Sequence, residues 1–395
     1  MRDCAPEKLW NHDFVLCCVA NFMVFFSFYV LMPVLPLYLD DVFDASKSMI
    51  GSVLSLYAIA CLVFRPFSGF MVDSLPRKIV LVASLGVFFV LFGGYLVAGT
   101  ILTFAIVRAL HGLSYGGVSV SNATVAIDVM PPAKRGTGIA YYGVANNLAM
   151  CIGPAVSMYL YQSGARYTMI FTIALVAAGL GFVAVTMVRG RKHDLRRVKQ
   201  PLSFDRFWLK SAWRESINLF FVAYAYGLVT TFLAIYGKEE IGITNGSGTF
   251  FLLLAIGIIF SRLFASHWIN KGMVTINITV GSTILIIGYS IFALWTSIPG
   301  YYLSALIIGL GQGMFAPAYQ TIFINLAPNS QRGTANSTYL TSWDFGAGAG
   351  IMLGGVIVDH FHYQTAFLSS ALAVAVALSI FQMMTEPHFN RNKLR

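Results

Sequence analysis

Charged side chains make up only 11% of this 395-residue chain, against 57% hydrophobic residues and a mean hydropathy of +0.73. A soluble protein of this length needs far more polar cover, so that class is excluded. Cysteine is also sparse: Cys4, Cys17, Cys18, Cys61 and Cys151 all fall in the first half, at positions read as cytoplasmic or intramembrane. No pair sits in an outer loop, so a disulfide framework is not expected. Neither an HExxH motif nor a defensible Ser/His/Asp set is present, and Cys17 beside Cys18 is no metal motif. No catalytic residue, metal or cofactor is therefore expected, and an intramembrane enzyme is disfavoured. The loops are short, which leaves no room for a soluble catalytic domain or for the soluble module expected of a receptor.

What fills the chain instead is a succession of apolar runs, each long enough to cross a hydrocarbon core of roughly 30 Å. Twelve spans are read, near 13–38, 49–70, 79–99, 101–128, 136–160, 166–188, 213–236, 249–269, 273–296, 299–327, 334–358 and 363–385. They are continuously apolar and too long for the alternating ten-residue strands of a barrel, so they are expected to be helices. Span 1 is too long for a signal-peptide core and lacks a small-residue cleavage site, so it is expected to be retained.

The net charge of +10 invites a nucleic-acid reading, but the positions of the cations explain it otherwise. With the amino terminus inside, all 26 Lys and Arg residues except Lys47, Arg108, Arg166 and Lys238 fall on the cytoplasmic side. That bias orients the chain with both termini cytoplasmic, and no nucleic-acid partner is expected. Between Arg189 and Arg214 lie nine Lys or Arg residues and Pro201. The segment 189–212 is read as a basic cytoplasmic linker that orients the chain and lies against anionic lipid headgroups; a regulator site is the alternative. It divides the chain into bundles at 1–188 and 213–395, of six spans each.

The two bundles repeat one another at a shift of 197 residues. Arg65 recurs as Arg262. Gly112, Leu113, Gly116, Thr124, Ile127, Pro131, Arg135, Gly136 and Thr137 recur as Gly309, Leu310, Gly313, Thr321, Ile324, Pro328, Arg332, Gly333 and Thr334. Unrelated apolar sequence gives roughly two or three such identities over a window of this length. Two copies of one membrane unit imply half-bundles related by pseudo-two-fold symmetry, which can open alternately to either side. Close helix contacts are expected at Gly112, Gly116, Gly309 and Gly313, and along Gly346, Gly350 and Gly354. Pro33, Pro36 and Pro317 are expected to mark kinks.

Ionisable groups at membrane depth are costly and need a reason. Arg108 shares a helix face with His111, Tyr115, Ser119 and Asn122, a stripe expected to face a water-filled cleft. Its repeat partners are Ala305, Ile308, Gln312, Ala316 and Tyr319, so the first half keeps the charge. Asp344 lies about 200° around its helix from Gly346, pointing away from the glycine stripe. Its counterpart is Asn147, beside Asn146. Asp344 is a candidate proton carrier and Arg108 a modulator of substrate or proton binding; the alternative is that both only hold helices in place. His111 is read either as a histidine bonded within the bundle or as a proton shuttle. Further candidates for the cleft lining are Asn21, Tyr29, Asn146, Asn147, Tyr226, Gln312, Tyr319 and Trp343.

From Arg65 the chain reads Arg-Pro-Phe-Ser-Gly69-Phe-Met-Val-Asp73-Ser-Leu-Pro-Arg77-Lys78. This resembles the loop 2–3 signature of the major facilitator superfamily, with Ser74 and Pro76 as departures. The run Arg108-Ala-Leu-His111-Gly112-Leu-Ser-Tyr-Gly116 resembles the family's span 4 motif. In span 5 only Gly153-Pro154 of the antiporter-type motif is kept, with Ser157 and Met158 where glycines would stand. The resemblance implies an all-α membrane fold of twelve helices in two six-helix bundles, most similar to the bacterial drug- and sugar-efflux branches. It also implies a cytoplasmic gating motif of Gly69, Asp73, Arg77, Lys78 and Asp128, in which the basic residue pairs with Asp128. The expected function is secondary active transport of a small organic solute by a monomer in the bacterial inner membrane, as proton-coupled efflux. Symport uptake of a sugar, amino acid or carboxylate is the alternative, and a non-transporting receptor a distant one. The aromatic and amide groups suit an amphipathic substrate, and the missing cationic pair argues against a highly anionic one.

Overall fold

The computed structural model describes residues 9–131, 134–189, 208–243, 247–328 and 331–394, and no strand occurs among them. The helices are α1 (His12–Leu31), α2 (Val34–Phe43), α3 (Lys47–Ser74), α4 (Arg77–Val97), α5 (Ile101–Val129), α6 (Arg135–Gln162) and α7 (Tyr167–Met187). After the linker, most of which lies outside the described residues, come α8 (Trp213–Glu239), α9 (Ser247–Asn270), α10 (Val274–Leu294), α11 (Ile298–Asn325), α12 (Arg332–His360), α13 (Tyr363–Ile380) and α14 (Glu386–Asn392).

Local chemistry sets several of these ends. Asn11 accepts from the Phe14 amide at 2.8 Å to begin α1. Thr100 and Thr103 form a reciprocal capping box at α5, and Ser297 accepts from Gly300 at α11. Span 1 is a single run in the sequence but two helices in the structure. Pro33 has no amide hydrogen to donate, and the chain turns through Met32 and Pro33 before α2 begins. Pro154 and Pro317, by contrast, sit inside α6 and α11 without ending them. Span 12 is also divided: α13 widens into a π-helical turn at Phe381–Thr385 and continues as α14. Of the twelve expected spans, ten are matched by helical runs long and apolar enough to cross a membrane, among the described residues. The helices at α6 and α11 complete the set; glycine, proline and amide side chains dilute their apolar character.

Contacts gather the chain into two compact units, residues 1–32 with 60–200 and residues 33–59 with 201–395. Segment 33–59 belongs to the second unit because its backbone closes directly on α12. A Cβ on Gly51 would meet the Ile351 carbonyl at 2.5 Å, and one on Gly355 would strike the Lys47 carbonyl. In the first unit α1 packs on α6 and α7, and α4 on α5 and α7. In the second, α8 packs on α12 and α13, and α10 on α11 and α13. These are the same four pairings displaced by six spans. The displacement extends to single residues. A Cβ on Gly116 would stand 3.1 Å from the Cys61 carbonyl and one on Gly313 2.5 Å from the Ile258 carbonyl, both partners moving by the repeat length. Gly346 and Gly350 lie against the backbone of Phe220 and Tyr224, and Gly354 against Leu228, so the glycine stripe packs α12 on α8.

Candidate functional site

The first unit buries its charge in a hydrogen-bonded chain. Arg108, 6% exposed, donates from Nη1 to the Tyr95 hydroxyl at 3.4 Å, and that hydroxyl lies 2.9 Å from His111 Nδ1. With its oxygen accepting from arginine, the tyrosine hydrogen is free to go to the imidazole. His111 is fully buried, its ring 4.4 Å from Phe88 and 4.5 Å from Phe92. All three partners come from α4, so Arg108 and His111 turn toward that helix, and His111 is bonded within the bundle. The expected single stripe on α5 therefore divides. Tyr115 enters an aromatic cluster with Phe25 and Phe28 of α1, where Tyr29 stacks on Phe25. Asn122, about two turns further on, donates to Asn21 at 3.3 Å, and Asn21 donates to the Tyr142 carbonyl at 3.0 Å.

The second unit answers with rings and amides. Tyr226 of α8 and Trp343 of α12 lie 5.4 Å apart, and Asp344 beside Trp343 is half-buried. Gln312 is 6% exposed. Tyr319 is wholly buried and stacks on Phe315 at 4.7 Å, near Phe381 of the π turn, which makes it part of the packed interior. The side-chain oxygens of Asn122, Asn146 and Gln312 are buried without a donor. Buried acceptors are normally satisfied, so three unpaired amide oxygens among the candidate residues mark places where a ligand or water can bond. The side chain of Asn147 lies outside the described residues.

At the α3–α4 turn, Arg77 Nη1 donates to Asp128 Oδ1 at 2.6 Å, the pairing that the motif implied. Lys78 reaches the Thr186 carbonyl at 3.2 Å, tying α4 to α7. Gly69 has open space around it, and the Asp73 side chain lies outside the described residues.

Two ionic clusters in the second unit were not anticipated. Lys47 donates to Asp40 at 2.6 Å and Glu239 at 2.8 Å, and Tyr363 donates to Glu239 at 2.7 Å. Asp359 accepts from the Lys47 and Ser48 amides at the start of α3, and Lys238 pairs with Asp41 at 2.6 Å. The signal was available: acidic residues of the outer loops cluster around two of the few cations expected there. The second cluster is Glu215, fully buried, bonded at 2.9 Å to His388. Its partners are 173 residues apart in the chain, and nothing local links them. No group of three or more metal-ligating side chains occurs among the described residues.

The comparisons with known proteins agree with this architecture. The Major Facilitator Superfamily profile matches residues 17–351 and 278–394. An uncharacterized MFS-type transporter, YhhS of Escherichia coli, is 25% identical over 379 residues, covering 93% of this chain and 91% of that one. The quinolone resistance protein NorA of Staphylococcus aureus is 23% identical over 394 residues, covering 95% and 96%. Among solved structures, a D-xylose-proton symporter superposes with a TM-score of 0.79 at 14% identity, covering 98% of this chain and 100% of that one. The nucleoside transporter NupG gives 0.74 at 16% identity, covering 95% and 99%. At such identities the structures speak for the fold alone, while the profile spans nearly the whole chain. The chain belongs to the Major Facilitator Superfamily and is a multi-pass membrane transporter, not an enzyme.

Proposed function

We propose that this transporter exports a small amphipathic organic molecule across the bacterial cytoplasmic membrane in exchange for protons, with both termini cytoplasmic. The observation that carries the reading is the set of unpaired amide oxygens at Asn122, Asn146 and Gln312, with aromatic candidates such as Tyr115, Tyr226 and Trp343 beside them in the candidate set. Amides and rings offer uncharged hydrogen bonds and broad apolar contact, which suits weakly polar organic molecules. Asp344 is the proton carrier in this reading, and Arg108 sets how readily the site accepts proton or substrate. One elementary charge moved through 100 mV supplies about 2.3 kcal/mol, enough to bias a transition of a few kcal/mol. The Arg77–Asp128 pair belongs to the cytoplasmic gating motif and would part and re-form during transport. The similarity to NorA, a quinolone resistance protein, favours export.

Uptake by symport is the second reading, favoured by Ser157 and Met158 standing where an antiporter-type motif would have glycine. Everted and right-side-out vesicles carrying the protein, challenged with an array of amphipathic drugs and sugars, separate the two. Export predicts accumulation in energised everted vesicles, abolished by collapsing the proton gradient and by Asp344→Asn. Uphill transport by the Asp344→Asn protein at the wild-type level overturns the assignment of Asp344. Accumulation only in right-side-out vesicles overturns the direction.

A further inference from the structure

At the end of the second unit where α8 begins and α13 ends, a cavity of about 310 Å³ is lined by the polar side chains of Arg214, His388, Arg391 and Asn392. Met383, Met384 and Pro387 complete its lining. We infer that this cavity is a binding site for the phosphodiester headgroup of an anionic phospholipid.

Charge is the first argument. Arg214 and Arg391 form no salt bridge among the described residues, and the Arg214 Nε is buried without an acceptor. Glu215 is fully buried, hydrogen-bonded to His388 at 2.9 Å and within electrostatic reach of Arg214. Asn392 is fixed as well, donating to the His388 carbonyl at 2.9 Å. One buried carboxylate thus stands against two guanidinium groups that line a common space, which leaves it net positive, and planar guanidinium forks are well suited to phosphate oxygens.

Depth is the second argument, and it distinguishes a lipid from a free anion. The cavity lies at the mouth of the helices, where α13 gives way to the π turn. That wider turn carries Met383 and Met384 outward, 79% and 46% exposed. Trp213, 45% exposed, precedes Arg214, whose guanidinium lies 5.2 Å from its ring. A tryptophan, exposed methionines and arginines at one end of the helices are the composition of the headgroup boundary, where acyl chain and phosphate are met together. A soluble phosphate ion would gain nothing from the methionines.

The test uses the purified full-length protein in detergent, titrated with dioleoyl phosphatidylglycerol or dioleoyl phosphatidylcholine and read by native mass spectrometry and thermal unfolding. One phosphatidylglycerol is expected to be retained and to raise the midpoint, with phosphatidylcholine at least tenfold weaker. The Arg214→Gln/Arg391→Gln protein should lose at least tenfold in phosphatidylglycerol affinity. The Arg214→Lys/Arg391→Lys protein, which keeps the charge and guards against a folding artefact, should keep most of it. A linker control, Arg196→Gln/Arg197→Gln, should bind as wild type. Unchanged binding by the double glutamine protein, or an equal loss in the linker control, overturns the site. Displacement of the lipid by millimolar inorganic phosphate, with Met383→Ser/Met384→Ser binding unaltered, would assign the cavity to a free anion and overturn the lipid.

Discussion

The two units share their helix pairings but differ in what they bury. In the first, a cation is carried into the bundle and donates to a tyrosine, with a histidine behind it. In the second, the equivalent positions are Ala305 and Ile308, the half-buried charge of Asp344 stands within α12, and the Lys47 and Glu215 clusters stand at helix ends. The steric contacts were kept through the repeat and the polar ones were not. A glycine whose added Cβ would stand well under 3 Å from a carbonyl resists substitution, because the backbone it meets yields little. A polar side chain can be exchanged for an apolar one wherever its partner changes with it. Coupling chemistry can therefore concentrate in a few positions while the scaffold stays symmetric.

The largest effect is expected where the shared scaffold is broken. Gly350→Val would push a branched side chain into the Tyr224 backbone and cost at least about 3 kcal/mol. Its thermal unfolding in detergent should drop sharply or the protein should fail to accumulate. Gly116→Ala, facing the Cys61 carbonyl at 3.1 Å, should lower the midpoint by much less. Equal tolerance at both positions would break the claim that backbone closeness preserves the repeat.

Next comes the asymmetric chemistry. Arg108→Gln should reduce transport at least about tenfold while the protein stays monodisperse, because the site loses its buried cation and Tyr95 its donor. Gln312→Ala, on the second unit's side, should weaken substrate affinity by a smaller factor and leave proton coupling intact. If the Gln312 variant abolishes coupling and the Arg108 variant does not, the comparison is inverted.

Smaller effects are expected at the ion pairs. Arg77 and Asp128 keep 20% and 24% side-chain exposure, so a double-mutant cycle should give only about 0.5–1 kcal/mol of coupling. Transport is the more sensitive readout there, and the charge-reversed pair should recover part of what either single reversal loses. Asp359→Ala removes acceptors from two amides at the start of α3 and should cost about 1 kcal/mol in thermal unfolding.

Much of this was legible beforehand. Apolar runs are read directly as helices because the bilayer leaves the backbone no other way to satisfy its hydrogen bonds. Arg77 with Asp128 was legible through a motif, since both residues sit at helix ends set by the loop. The break at Met32–Pro33 was foreseen only as a kink, because one proline can bend a helix or interrupt it and the neighbours decide. Tyr95 was missed altogether. Nothing in α4 distinguishes it from the phenylalanines around it until α5 is packed against it and Arg108 comes within reach. Glu215 and His388 were missed for the same reason across 173 residues.

Composition, repeat and charge bias alone were enough to establish a twelve-span transporter built from two copies of one unit, because hydrophobic length and net positive flank are properties of local sequence. Which polar atoms meet, that Arg108 donates to a tyrosine, that segment 33–59 belongs with the second unit, and that two arginines line one cavity beside a π turn were decided only by packing. These depend on distances between groups remote in the chain, and a hydrogen bond depends on tenths of an ångström that no pattern of residues encodes.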